Sequence, residues 1–60
     1  MTPNNFKTRR LAMGLTQLQL AILMGTTPET ISNYERGAKN ITKAKQKLFE
    51  YIEKEHRHDK

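Results

Sequence analysis

The fold of this chain is decided by residues 16–37, TQLQLAILMGTTPETISNYERG, because this stretch marks the ends of two short helices. Thr16 is a residue type that caps helix N termini, and Gly25 stands where a helix often ends in a left-handed residue. Thr27 supplies a second cap, and Pro28 follows at the first helical position, where a missing N–H costs nothing. The stretch therefore predicts a helix-turn-helix, with helices at residues 17–24 and 28–36.

A further helix is predicted before this stretch, at residues 3–13. Thr2 and Pro3 are again a cap followed by a proline, and Phe6, Arg10 and Met13 recur at the spacing of one helical face. Gly14 can then adopt the positive φ that turns the chain toward the next helix.

The last helix is predicted at residues 42–55, with Asn40 or Thr42 as its cap. No Gly or Pro follows Gly37, so nothing in the sequence divides this segment. Its apolar residues recur at helical spacing, at Ile41, Ala44, Leu48, Phe49 and Ile52. The expected fold class is all-α, a small bundle of four helices, or of five if the last one is divided.

Arg10 is the one charged residue on the predicted inward face of the first helix. A buried guanidinium needs a partner, and Glu35 near the end of the third helix offers a carboxylate of opposite charge. The alternative is that Arg10 covers apolar surface with its stem and keeps its charge in solvent. Lys7 and Arg9 lie off this face and are expected to meet solvent or phosphate.

Length and composition limit the classes of protein. Sixty residues make one domain, residues 1–60, which buries only about 60% of its unfolded surface. There is no Cys for a disulfide or a thiolate metal site, no apolar run of bilayer length, and no basic-then-apolar leader. These features favour a cytoplasmic protein.

The charge favours a polyanionic partner. Eleven Lys and Arg against six Asp and Glu give a formal net charge of +5 and a pI near 9.9. DNA, RNA and an anionic membrane surface all satisfy this charge, so the choice among them depends on the motif.

The motif resembles the helix-turn-helix of the Cro/CI-like (XRE) repressor family. The matching positions are Arg10, Gly14, Leu15-Thr16-Gln17, Leu20-Ala21, Met24-Gly25, Ile31-Ser32 and Tyr34-Glu35-Arg36-Gly37. The resemblance implies a lambda-repressor-like DNA-binding domain, with a phage Cro-type protein as one expectation, and a pair between Arg10 and Glu35. It also implies that the third helix enters the DNA major groove.

The third helix is expected to bury Ile31 with Tyr34 or Glu35 and to present short polar side chains on its other side. Asn can pair with adenine and Glu can accept from cytosine, so this face suits base recognition. The alternative is an ordinary solvated helix face. The residues predicted to contact bases are Pro28, Glu29, Ser32 and Asn33.

Phosphate contacts are expected around that helix, where free amides at helix N termini meet basic side chains. Lys39 and Lys43 flank the predicted start of the fourth helix. The full predicted set is Gln17, Thr27, Arg36, Lys39, Asn40 and Lys43.

No catalytic or cofactor constellation is present in the sequence. It has no glycine-rich phosphate loop, no HExxH and no preorganised Ser, His and Asp set. His56 and His58 are two residues apart, so on a helix they lie on different faces and suit a metal poorly. A non-enzyme without cofactor, metal or small-molecule ligand is expected, with residues 56–60 frayed and Glu53 able to pair with Arg57.

The leading hypothesis is a repressor that occupies a double-stranded DNA operator as a weak homodimer. Its interface is expected at the apolar edge of the fourth helix, at Phe49 and Ile52. The alternative is an antitoxin-like module that neutralises a partner protein and autoregulates, using surplus apolar residues of the second or fourth helix. A third hypothesis is nonspecific RNA or membrane binding through charge.

Overall fold

The computed structural model describes residues 2–56, and within that range it consists of helices without any strand. The helices, in chain order, are α1 Pro3–Ala12, α2 Gln17–Met24, α3 Pro28–Arg36 and α4 Lys43–Glu55. The all-α prediction is confirmed, and every predicted boundary lies within one residue of the observed one. The expectations for Arg57, His58 and the end of the tail lie outside the described residues.

Each helix begins with a threonine cap. The hydroxyls of Thr2, Thr16, Thr27 and Thr42 accept the N–H three residues further on, at 3.0–3.2 Å. Thr42, and not Asn40, is therefore the cap of α4. At Thr16 the Gln19 side chain also accepts the cap's own N–H at 2.9 Å, which completes a capping box.

Glycines end the two central helices, as predicted for Gly25. Gly25 and Gly37 have φ values of +69° and +77°, in the left-handed region that a Cβ disfavours. The short turn after Gly25 leads directly into the Thr27 cap, so α2 and α3 form the expected helix-turn-helix.

Aromatic packing joins the first, third and fourth helices in the core. Phe6 stacks on Phe49 with centroids 4.4 Å apart and meets Tyr34 edge to face at 5.6 Å. The remaining buried apolar residues are Met13, Leu20, Ala21, Met24, Ile31 and Ile52. These include Met13 and Ile31, which the sequence predicted on the inner faces of α1 and α3.

The expected dimer interface on α4 is wrong. Ala44, which shares the spacing of the apolar residues of α4, is exposed. Phe49 and Ile52 are 0% and 5% exposed, so they are not available as the edge of a dimer interface. A chain this short uses Phe49 and Ile52 to close the core of a single protomer, so neither is left over for an interface.

Arg9 also differs from expectation, because it faces α4 instead of solvent or phosphate. Its Nε donates to Glu53 Oε2 at 2.8 Å, its Nη2 contacts Glu53 Oε1, and its guanidinium lies 5.4 Å from the centre of the Phe49 ring. The hydrogen bond to Glu53 raises the pKa of Arg9 above its ordinary value, against the opposing effect of burial. Lys7 is exposed as expected.

None of the helices within residues 2–56 has both the length and the hydropathy needed to cross a membrane.

Candidate nucleic-acid interface

The candidate interface is built on the buried pair between Arg10 and Glu35. Arg10 Nε lies 2.5 Å from Glu35 Oε2, and the two side chains are only 8% and 5% exposed. A second Arg10 nitrogen donates to the Leu15 carbonyl at 2.8 Å. Because the pair is hydrogen-bonded on several sides, it fixes α1 against α3 without leaving a buried charge uncompensated.

Gln17 joins the same cluster from α2. Its Nε2 donates to Glu35 Oε1 at 3.0 Å, so one carboxylate connects three helices. The Gln17 side chain therefore reaches toward α3 and does not stand free at the surface. The backbone N–H groups at the N terminus of α2 remain available to bind a phosphate, because the first of them have no acceptor within the helix.

The outward face of α3 carries the predicted base-contacting residues. Pro28 and Glu29 are exposed in the first turn, and Ser32 and Asn33 are half-buried in the second. Ile31 and Tyr34 hold the opposite face in the core at 0% and 6% exposure. The helix is therefore fixed in rotation, and these four short side chains lie on the side that faces away from the core.

Arg36 lies beside Asn33 on that outward face. Arg36 Nη2 donates to Asn33 Oδ1, which brings a predicted phosphate contact against a predicted base contact. An amide oxygen has two lone pairs, so Asn33 can still accept from a base while it is held by Arg36. The i, i+3 spacing of the two residues was the signal in the sequence for this contact.

The loop after α3 is anchored to Asn33. The N–H groups of Ala38 and Lys39 donate to the Asn33 carbonyl at 2.9 and 3.3 Å. Lys39 and Asn40 are exposed immediately after this anchor, and Lys43 is exposed in the first turn of α4. Lys39 thus follows α3 at a position fixed by backbone hydrogen bonds.

These basic residues do not form one continuous depression. Lys39 and Asn40 border a cavity of about 50 Å³ against the start of α1, whereas Lys43 borders a separate open groove on α4 of about 230 Å³. Both are smaller than the roughly 300 Å³ at which small-molecule sites begin. The arrangement suits an extended polyanion that touches separate points of the surface.

The Thr27 hydroxyl is already engaged within the protein. It accepts the Thr30 N–H at 3.2 Å and lies 3.0 Å from the Thr30 hydroxyl. Thr27 is nevertheless exposed, and as the N-cap it lies directly beside the first turn of α3.

Lys45 makes a contact that the sequence did not indicate. Its Nζ donates to the Met24 carbonyl at 3.5 Å, at the C-terminal end of α2. A cation there favours the negative end of the helix dipole and draws the start of α4 toward the helix-turn-helix. The contact joins residues 21 positions apart, so no local spacing could have revealed it.

No group of three or more His, Asp or Glu side chains capable of holding a metal ion occurs within residues 2–56.

Comparison with known proteins gives one match. The sequence model of a family described as helix-turn-helix matches residues 6–45, from the buried Phe6 of α1 to Lys45 of α4. This range is two-thirds of the chain and contains the buried pair, both central helices and the basic loop. No curated protein and no solved structure matches the chain.

Proposed function

The chain belongs to the Cro/CI-like (XRE) helix-turn-helix family, and from that membership we propose that it is a repressor that occupies its operator as a dimer. Membership makes it a DNA-binding transcription regulator whose partner is double-stranded DNA. This is a regulatory family and not a typical enzyme family. Repression and dimeric binding are the proposal.

The main support for the proposal is the orientation of α3 about its own axis. The buried Ile31 and Tyr34 turn Glu29 and Asn33 away from the core. Short side chains let a helix approach base edges closely, and Asn and Glu offer the hydrogen-bonding groups that distinguish adenine and cytosine in the major groove. We assign base contacts to Pro28, Glu29, Ser32 and Asn33.

The surroundings of α3 support phosphate contacts in the proposal. Exposed Lys39 and Lys43 follow the helix, and the N termini of α2 and α4 present free amides. The net charge of +5 adds a long-range attraction to DNA. We assign phosphate contacts to Gln17, Thr27, Arg36, Lys39, Asn40 and Lys43, with Gln17 acting through its backbone N–H because its side chain reaches Glu35.

The mechanism of repression is occupancy of the operator. A repressor bound to an operator that overlaps a promoter excludes polymerase by its volume. The Glu29 carboxylate lowers the nonspecific affinity for DNA, because it repels nearby phosphates. Its contribution is therefore to specificity, since it disfavours bases that cannot donate a hydrogen bond to it.

The experiment begins with selection of bound duplexes from a random pool, which supplies the operator sequence. Binding to this operator and to a scrambled duplex is then titrated at several salt concentrations. We expect the operator to bind at least about 10³-fold more tightly, with affinity for both duplexes falling as salt rises. Equal affinity for the two duplexes would remove the repressor proposal and favour the protein-binding alternative.

A further inference from the structure

The Asn33 side chain on the outward face of α3 is held by a single neighbour. Arg36, one turn further along α3, donates from Nη2 to Asn33 Oδ1. Among residues 2–56, no other side chain hydrogen-bonds to the Asn33 amide group. The main chain of Asn33 is already fixed, because its carbonyl accepts the N–H groups of Ala38 and Lys39. The remaining freedom of the residue lies in its side-chain amide, and Arg36 is the group that restrains it.

The chemistry of this pair permits only one orientation of the Asn33 amide. A guanidinium carries N–H donors and no acceptor, so it pairs with the oxygen of an amide and not with the nitrogen. An inverted amide would set its NH2 group against the Arg36 cation and leave donors on both sides without an acceptor. The donor and acceptor ends of the Asn33 amide therefore cannot exchange while Arg36 is in place.

Arg36 is available for this contact because no carboxylate competes for it. Within residues 2–56, Arg36 takes part in no ion pair, and the neighbouring Glu35 carboxylate is turned inward to Arg10 and Gln17. Arg36 is exposed, and a guanidinium has five N–H donors. One donor can hold Asn33 while others meet a phosphate, so the contact is compatible with the proposed phosphate role of Arg36.

We propose that Arg36 is a positioning residue, which fixes the amide of Asn33 and thereby sets the base preference at the base pair that Asn33 contacts. The inference rests on the proposed function, in which Asn33 faces a base edge. Base edges in the major groove differ in the order of their donors and acceptors, so an amide that inverts freely distinguishes them poorly. Bound DNA excludes water from the contact, which strengthens the hydrogen bond and raises the cost of the inverted amide.

Two substitutions of Arg36 separate the hydrogen bond from the charge. Arg36→Gln and Arg36→Met both remove one positive charge from the C-terminal end of α3, and both introduce a good helix former. Gln keeps an N–H donor that can pair with an asparagine three residues earlier on a helix, whereas Met has no donor. A difference in base preference between the two variants therefore reports the hydrogen bond to Asn33.

The experiment titrates each variant on the selected operator and on the scrambled duplex at several salt concentrations. Both variants should bind both duplexes more weakly and lower the salt slope to the same extent. The ratio of operator to scrambled affinity should fall about threefold to tenfold in Arg36→Met and stay within about twofold of wild type in Arg36→Gln. The relaxed preference should lie at the base pair affected by Asn33→Ala. In the Asn33→Ala background, Arg36→Met should leave the ratio unchanged, because the amide it acts on is gone.

A second measurement uses the free protein without DNA. The NMR order parameter of the Asn33 Nδ2 group should fall in Arg36→Met and stay near the wild-type value in Arg36→Gln, at similar helicity and melting temperature. An unchanged order parameter in Arg36→Met would overturn the inference. A wild-type affinity ratio in Arg36→Met, or an equally lowered ratio in the two variants, would overturn it as well. If the wild type binds both duplexes equally, the proposed function fails, and the order parameters alone then decide whether Arg36 holds the amide.

Discussion

Glu35 is the side chain on which three helices converge. Its carboxylate lies 2.5 Å from Arg10 of α1 and accepts from Gln17 of α2 at 3.0 Å. Helical spacing places Arg10 on the inward face of α1. That was enough to suggest Arg10 as the partner of Glu35, because a buried Arg requires a carboxylate. The Gln17 contact depends on how α2 packs against α3, and no local spacing indicates it.

Glu35→Ala is expected to destabilise the protein by about 3–5 kcal/mol, because it leaves the Arg10 guanidinium buried without a counter-charge. Chemical denaturation of wild type and variant measures the difference in the free energy of unfolding. Adding Arg10→Met to the variant should restore part of that difference, since the uncompensated charge is then gone. Equal unfolding midpoints for wild type and Glu35→Ala would contradict this account of the pair.

Asn33 is the residue at which base recognition is tested most directly. Asn33→Ala should cost about 1–3 kcal/mol on the selected operator and relax preference at one or two base pairs, because the lost amide pairs with a base edge. The slope of log affinity against log salt should stay nearly unchanged. Titration on operator and scrambled duplexes measures both effects, and an equal loss on the two duplexes would show that Asn33 does not distinguish bases.

Lys43→Ala is the matched control, because Lys43 is exposed in the first turn of α4 and does not belong to α3. It should weaken operator and scrambled duplex alike and reduce the salt slope by about one unit per half-site. The contrast between the two variants separates base contacts from phosphate contacts within one protein.

At the scale of elements, α4 is held to the bundle by one aromatic residue and its neighbours. Phe49 is fully buried, stacks on Phe6, and has Arg9 over its ring while Arg9 also binds Glu53. Lys45 fixes the opposite end of α4 to the Met24 carbonyl. The helix is therefore part of the core of each protomer and not a free edge for dimerisation.

Phe49→Ala should cost about 3–5 kcal/mol, because it removes a ring from the centre of the core and leaves a cavity. In a 60-residue chain that loss is expected to unfold much of the population at 25 °C. Thermal melting followed by circular dichroism measures it, and Phe49→Leu, which fills more of the space, should lose less. An unchanged melting temperature combined with weaker self-association would instead support the original expectation that Phe49 lies in the dimer interface.

At the scale of the whole molecule, the positive charge favours DNA as the surface on which two copies of the chain come together. Under the proposed function, two copies that associate weakly gain affinity when both bind one duplex, because the second binding event becomes effectively intramolecular. Helix-turn-helix dimers bind half-sites about 34–36 Å apart, one turn of DNA.

Insertion of about five base pairs between the two half-sites should therefore abolish cooperative binding, because it rotates one half-site by half a turn. Affinity for a single half-site should be unaffected by the insertion. Stoichiometry and binding isotherms on the two duplexes check this expectation. Identical isotherms on both duplexes would indicate that the copies bind independently of each other.

The sequence by itself determined the helices, their boundaries and the family. Threonine caps, proline at first helical positions and left-handed glycines act within a few residues, so their effect is fixed before the chain packs. The inward faces of α1 and α3 follow from the same local periodicity. Family membership follows because the motif residues occupy fixed spacings on those helices.

Only the tertiary structure decided how the fourth helix and several long polar side chains are used. Arg9 turns to Glu53, Gln17 to Glu35 and Lys45 to Met24, each across 18 or more positions of the chain. Phe49 and Ile52 looked like a surface edge because periodicity identifies an apolar face without saying what covers it. Such contacts depend on how separate helices meet, and that is set by the packing of the core and not by any one segment.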